Sequence, residues 1–378
     1  MEILSGLLFP RKLQISPLGS SADRETSGLI TPAEETEWDD FVKSHPLGWV
    51  THLSAWKHVL ERSFPQIRGS LLVLRGRNGS IRAGLPIYEV KSLLTGKRLV
   101  SIPFATRSHP ICQDPEDLKI LFSEILRMGV ERQIPRVSIQ CVASEETLEQ
   151  VAGNVVSNRF KAHTLQLSPG SQVLFNRLHT SAIKKKIRRA EKHGVLVRAL
   201  SSDEDLRTFY KLYSVTRKRI GLPPHPELFV RNLWEQFAPK DQMEGFLAER
   251  DGAAVAGLLV FKFRDRVSAE YLGSKKESHS YGAVQLLYWH SIVEASRQGY
   301  LYFDFGRTDE RNIGLMEFKN RWGTSVTSLP IYSQLEKPNA TRALYGESKR
   351  TRILKEVLKR TPVPILTEIG KYYYRHLG

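Results

Sequence analysis

Apolar residues along the chain alternate between two spacings, every third or fourth position and every second, which are the marks of helix and strand. The segment EWDDFVKSHP carries Trp38, Phe41 and Val42 at helical spacing behind an acidic first turn, so folding is expected to begin near Thr36. SAWKHVLERSF follows, with Ser54 as N-cap and Trp56, Val59, Leu60 and Phe64 on one side. The runs SLLVLRG, IRAGLPIYEV and LVSIPF then read as antiparallel strands, the first two joined by the turn-forming RNGS. The pattern predicts a helix over 115–129, the strand VSIQCV, a helix opened by Ser144 with Glu146 behind it, and a strand at HTLQLS.

After PGSQ at 169–172 the same order of elements returns. A basic helix over 175–193 leads to VLVRAL, then to helices over 203–220 and 226–237. Three strands follow, GFLAERDG, AVAGLLVFKF and RVSAEYLGS, then a helix over 283–297, the strand YLYFDFG, a helix over 314–321 and the strand SLPIYSQL. This is an α/β layer pattern written twice, consistent with an old duplication. The predicted organisation is a flexible Ser-, Gly- and Pro-rich leader at 1–35, halves at 36–170 and 171–335, and a basic helical tail at 336–378. In the tail, Ile353, Val357 and Leu358 form an apolar stripe among lysines and arginines. Such a stripe suits either the body of the protein or an anionic membrane, and the breaks at Pro362 and Pro364 favour the body.

Charge adds one constraint. Lys plus Arg number 56 against 40 Asp plus Glu, a net +16 that draws anions without saying which. Cys112 and Cys141 are too few for a disulfide framework and lack metal-ligand spacing, and the N-terminus lacks the apolar core of a signal peptide. The expected location is cytoplasmic, extending to the periphery of the inner membrane, with no metal site and no tightly bound cofactor. The Walker loop, GxGxxG, HExxH, CxxC and GxSxG are all missing, which leaves kinase, dehydrogenase and hydrolase readings without support. His45, His52 and His58, beside tryptophans, read as structural.

Three segments carry candidate chemistry. In FDFGRTDERNIGLMEFKNRWG, Phe303 and Phe305 alternate with Asp304 and Gly306, so Arg307 and Asp309 emerge at a strand end, where open α/β sheets bind ligands. Lys319, between Phe318 and Trp322 in sequence, has an ammonium suited to an oxyanion or a phosphate; a core strand plus a solvated lysine would give the same letters. In LHTSAIKKKIRRAEKHGV, Ile183, Ile187 and Ala190 share a face and leave Lys184, Lys185, Lys186, Arg188, Arg189 and Lys192 as a phosphate or RNA rail, or as a solvated surface. Third, KKESHSYGAVQLLYWHSIV joins a strand to a helix through Gly282, whose free N–H groups would suit a phosphate. Glu270, Asp304 and Tyr271 are the candidates for proton transfer.

Five ordered blocks, WDDFVKSHPLGWVTHLSAWKHVLERSF, LPIYEVKSLLTGKRLVSIPF, AIKKKIRRAEKHGVLV, FYKLYSVTRKRIGLPPHPELF and FDFGRTDERNIGLMEFKNRWG, resemble the FemAB family over 36–378. The likeness is to members that accompany exopolysaccharide and PEP-CTERM export systems. It implies tandem GNAT-like domains, each a mixed, mostly antiparallel sheet flanked by helices. It also implies transfer of an aminoacyl or acyl group from an activated donor, aminoacyl-tRNA or acyl-CoA, to a cell-envelope or exopolysaccharide precursor. By this resemblance Lys319 steadies the tetrahedral intermediate, and Arg307 and Asp304 shape the acceptor or donor pocket. Beside Lys319, Asp304 and Glu270 are the catalytic candidates, and Arg307, Phe318, Trp322, Tyr271 and Arg217 are the candidates for substrate binding. The chain departs from the family in two places. ATRSHPI follows SIPF where an aromatic and paired glycines are usual, and His279 and Tyr281 stand where a coenzyme A loop has Arg and Gly. A coenzyme A-dependent acyltransferase and a non-catalytic GNAT-like scaffold are the alternatives.

Overall fold

The computed structural model describes residues 26–93, 96–112, 114–140, 156–167, 171–334 and 349–376. The helix expected at Ser144 and most of the leader lie outside these residues. Among the described residues, twelve strands form one sheet in the order β1-β2-β3-β4-β5-β12-β6-β11-β10-β9-β8-β7. In chain order they are β1 Thr26–Leu29, β2 Ile67–Arg75, β3 Ile81–Ser92, β4 Gly96–Val100, β5 Val137–Gln140 and β6 Val156–Gln166. The second set is β7 Leu196–Ala199, β8 Met243–Arg250, β9 Ala253–Phe263, β10 Arg266–Ser274, β11 Tyr302–Asp309 and β12 Ser325–Gln334. Most neighbours run antiparallel; β4 with β5 and β10 with β11 run parallel, each pair joined through a helix, Pro115–Glu131 or Ala283–Arg297.

The two halves share this sheet by exchanging their last strands. β6 pairs with β11 of the second half, and β12 returns to pair with β5 of the first. Residue 170 therefore divides the chain's course and not its sheet. The interior is shared too. Trp56, from the first half, packs at 6.3, 6.1 and 5.7 Å ring separation from Phe229, Phe237 and Phe261 of the second, because the helices Ser54–Ser63 and Glu227–Phe237 bury their apolar faces against each other.

Two expectations need correction. Residues 26–34, grouped with the leader by composition, form the edge strand β1 on β2 and a 3-10 turn whose Thr31 and Glu34 cap each other. Arg75 fixes this turn by pairing with Glu34 and Glu37 at 2.9 and 2.6 Å. The basic helix expected over 175–193 is broken into Ser171–Arg177, a π-helical turn Thr180–Lys184 and Lys185–Lys192. His179 causes the break: its backbone N–H leaves the helix for the carbonyl of Arg321, while its Nδ1 accepts the N–H of Ala182. The tail docks, as the prolines favour, but only in part. Its second helix, Val363–Arg375, buries Leu366, Gly370 and Tyr374, and the Tyr374 ring stacks 4.0 Å from that of His225. Among the described residues no helix is long and apolar enough to cross a membrane.

This stack predicts where the tail contributes to stability. Tyr374→Ala removes a buried ring and is expected to cost about 3 kcal/mol in denaturant unfolding. Tyr372→Ala, at an exposed position two residues earlier, should change it by less than about 0.5 kcal/mol.

Candidate active site

The parallel pairing of β10 and β11 runs only from Arg266 and Tyr302 to Ser268 and Asp304, after which the strands part. Two local features open them. β10 bulges between Ala269 and Tyr271, and β11 shifts register between Asp304 and Arg307, where Gly306 takes φ +73°. That φ is costly for any residue with a Cβ, which explains a glycine here. It also turns the Gly306 carbonyl toward the helix Ile313–Asn320.

Lys319 projects from that helix and is only 4% exposed. Its Nζ donates to the Gly306 carbonyl at 2.8 Å, with the Arg307 carbonyl at 3.5 Å. Burial pulls its pKa down to about 8, against the opposing pull of the Asp304 and Glu270 charges. Asp304 is fully buried; its Oδ1 accepts the Gly306 N–H at 2.8 Å, and its Oδ2 accepts from Arg107 Nη2 at 2.6 Å and Nε at 3.2 Å. Arg266 Nη1 stands 3.7 Å from the same oxygen. Glu270 sits at the bulge, where its two oxygens accept from the Thr106 and Ser268 hydroxyls, each at 2.7 Å. Burial raises its pKa, with the hydroxyl donors opposing.

Three catalytic candidates from the sequence thus converge at the mouth of the parted strands. Thr106 and Arg107, which sequence reasoning missed, enter it from the loop after β4 of the other half. That loop is ATRSHPI, the segment that departs from the family pattern, so the departure itself was the available signal. Buried polar contacts hold the loop: Ser108 donates to Gln140 Oε1 at 2.5 Å, Gln140 Nε2 to the Thr106 carbonyl at 3.0 Å, and Thr51 to the Arg107 carbonyl at 2.6 Å. His52 and His109 are buried beneath it and held neutral by desolvation, His52 at about 4.

Other candidates fall elsewhere. Trp322 is fully buried against Phe305, Tyr288 and Phe318 at ring separations of 5.5, 5.8 and 6.2 Å, where it anchors the Lys319 helix and is out of a substrate's reach. Phe318 packs on the same cluster. The bulge turns Tyr271 to the opposite face of the sheet from Val267 and Ala269, into an aromatic cluster with Tyr213 and His225 at 6.0 and 5.8 Å. Arg217 borders that cluster, donating to Tyr374 Oη at 2.8 Å and to the Pro223 carbonyl at 3.2 Å. Arg307 is exposed over the Phe160 ring at 4.6 Å. Gly282 is covered: a Cβ there would come within 2.3 Å of the Lys186 carbonyl. Lys185, Arg188 and Arg189 are exposed, whereas Lys184 turns back to the Asn176 carbonyl at 2.7 Å.

With this geometry in hand, residues 177–320 match the family model of the acetyltransferase (GNAT) domain. The structure resembles the crystal structure of FemX at 16% identity, covering 85% of this chain and 99% of that one with a TM-score of 0.66. It also resembles a tandem GNAT protein from the clavulanic acid biosynthesis pathway, at 12% identity, coverages of 83% and 99% and a TM-score of 0.53. A third likeness is to the C-terminal domain (DUF2156) of a candidate lysylphosphatidylglycerol synthetase from Agrobacterium fabrum, at 11% identity, coverages of 83% and 96% and a TM-score of 0.54. No curated protein matches the sequence. Residues 177–320 thus carry a domain that matches the GNAT model, and the solved structures share the fold of the chain. The fold is the doubled one seen in FemX and in the tandem GNAT protein.

The Arg107–Asp304 contact joins the halves at this mouth, and its loss would leave a buried carboxylate with the Gly306 N–H and, as a guanidinium, the more distant Arg266. Arg107→Ala is expected to cost about 2–4 kcal/mol, and the double variant Arg107→Ala/Asp304→Asn markedly less than the two single costs combined. A double-mutant cycle in urea reads this out; additive costs would show the pair to be uncoupled.

Proposed function

We propose that the protein transfers an aminoacyl group from aminoacyl-tRNA to an amine or hydroxyl of a cell-envelope or exopolysaccharide precursor. The observation that carries this reading is the buried Lys319 ammonium at the parted strands, within the electrostatic influence of a Glu270 carboxylate that two hydroxyls hold. The likeness to a domain of a lysylphosphatidylglycerol synthetase, a protein named for joining an amino acid to a lipid, supports the acceptor class.

In this mechanism the donor's ester carbonyl lies in the opening between β10 and β11. The acceptor's lone pair attacks the carbonyl carbon, and the displaced electron pair moves to oxygen. An ammonium has three N–H donors. The Gly306 and Arg307 carbonyls take two and orient the group, leaving one donor for the oxyanion. Glu270 accepts the acceptor's proton, directly or through a water, and returns it to the departing ribose oxygen as the C–O bond breaks. Its raised pKa suits both steps.

Two features favour a tRNA ester over a thioester. The turn that would seat a pyrophosphate is crowded, since a Cβ at Gly282 would come within 2.3 Å of the Lys186 carbonyl, and the N–H groups of His279, Ser280 and Gly282 bond within the turn. Beside it, Lys185, Arg188 and Arg189 present exposed charge suited to a polyanion.

Lys319→Ala is expected to lower kcat by about 10–1000-fold, with the melting temperature retained; unchanged transfer would remove Lys319 from the mechanism. The active form needs Lys319 protonated and Glu270 ionised. The log of kcat/KM should therefore fall as pH rises through about 8, and fall again as pH drops through a value above that of an ordinary carboxylate. Glu270→Gln should abolish the acidic limb. For the donor, aminoacyl-tRNA should raise the melting temperature by mass action and acetyl-CoA should not. Stabilisation by acetyl-CoA alone would establish the thioester reading, and stabilisation by neither would favour a scaffold.

A further inference from the structure

The first helix of the tail, Lys349–Arg360, is docked along one edge only. Leu358 is buried, and Gly221 approaches the helix so closely that a Cβ there would lie 2.6 Å from the Lys355 carbonyl. The remaining apolar residues of the helix point away from the body: Ile353, Leu354 and Val357 are 64%, 53% and 56% exposed. At four-residue spacing Ile353 and Val357 fall in one row, with Arg352, Glu356 and Arg360 in the row beside it. Glu356 is neutralised by Lys359 at 2.6 Å, which leaves the two arginines to set the charge of that flank. In sequence the helix holds six cations and a single carboxylate.

A helix fixed to the body by one side, with three large aliphatic side chains exposed and arginines along their edge, has the form of an interfacial anchor. The aliphatic groups suit the acyl boundary of a bilayer and the arginines suit phosphate headgroups. A soluble partner protein would need matching acids around an apolar groove, whereas an anionic leaflet offers both everywhere on its surface. We infer that the helix Lys349–Arg360 seats the protein on an anionic bilayer, inserting Ile353, Leu354 and Val357 between headgroups that Arg352 and Arg360 bind. The inference stands on the tail alone and is independent of the transfer chemistry.

The test uses the full chain with vesicles of phosphatidylglycerol and phosphatidylcholine in equal parts, compared with phosphatidylcholine alone. Sedimentation should show binding to the anionic vesicles at least about tenfold tighter than to the neutral ones. Ile353→Ser/Val357→Ser should weaken it by about tenfold or more, as should Arg352→Glu/Arg360→Glu, with melting temperatures unchanged. Ile353→Trp supplies a second readout, since its fluorescence should shift to the blue only when anionic vesicles are added. A shift already present without vesicles would mean that the chain itself covers this face, and would overturn the inference. So would a wild-type dimer that the double Ser variant converts to monomer, because the face would then be an interface between copies. Vesicle binding unaffected by either pair of substitutions would place the contact elsewhere.

Discussion

The site depends on a buried carboxylate being neutralised across the two halves of the chain. Asp304 has no exposure, and a carboxylate so placed is tolerated only when its charge and lone pairs are met. One oxygen is met by the Gly306 N–H, which fixes the turn of β11; the other is met by Arg107 from the opposite half. The same turn directs the Gly306 carbonyl to Lys319. A single ionised group thus sets the backbone shape, the position of the ammonium and the docking of the loop that supplies Thr106.

The electrostatics of the mouth follow from this arrangement. Lys319 and Glu270 are both shifted toward their neutral forms by desolvation, and each limits the shift of the other. Holding a cation and an anion in a poorly solvated opening disfavours folding, and functional sites are where such arrangements persist. Around it the structure is closely packed: Trp322 and Phe305 back the lysine helix, and buried histidines kept neutral lie beneath the loop.

Much of the fold was legible because it rests on periodicity. The helices at Trp38 and Trp56, the meander of three strands and the segment from Phe303 to Lys319 all follow from spacing. What the sequence concealed is of two kinds. Bulges and register shifts leave no mark in an alternating pattern: AEYLG reads as a regular strand, yet one extra residue at Glu270 sends Tyr271 to the opposite face. Contacts between distant segments are equally silent. Nothing around Arg107 signals Asp304, and nothing around Ser325 signals that β12 inserts beside β5. Trp322 was misjudged because a tryptophan next to a candidate lysine reads equally as a wall of a cleft or as the core behind it, and only burial separates the two.

The exchange of β6 and β12 has a consequence for biogenesis. On the ribosome, the first half emerges with β5 lacking the neighbour that covers it, and that neighbour is made after all the other described strands. Its sheet margin stays open until Ser325–Gln334 has been made, a span in which an unpaired edge invites association with other nascent chains. Closure of the amino-terminal layer is therefore necessarily a late event, coupled to arrival of the carboxyl-terminal one.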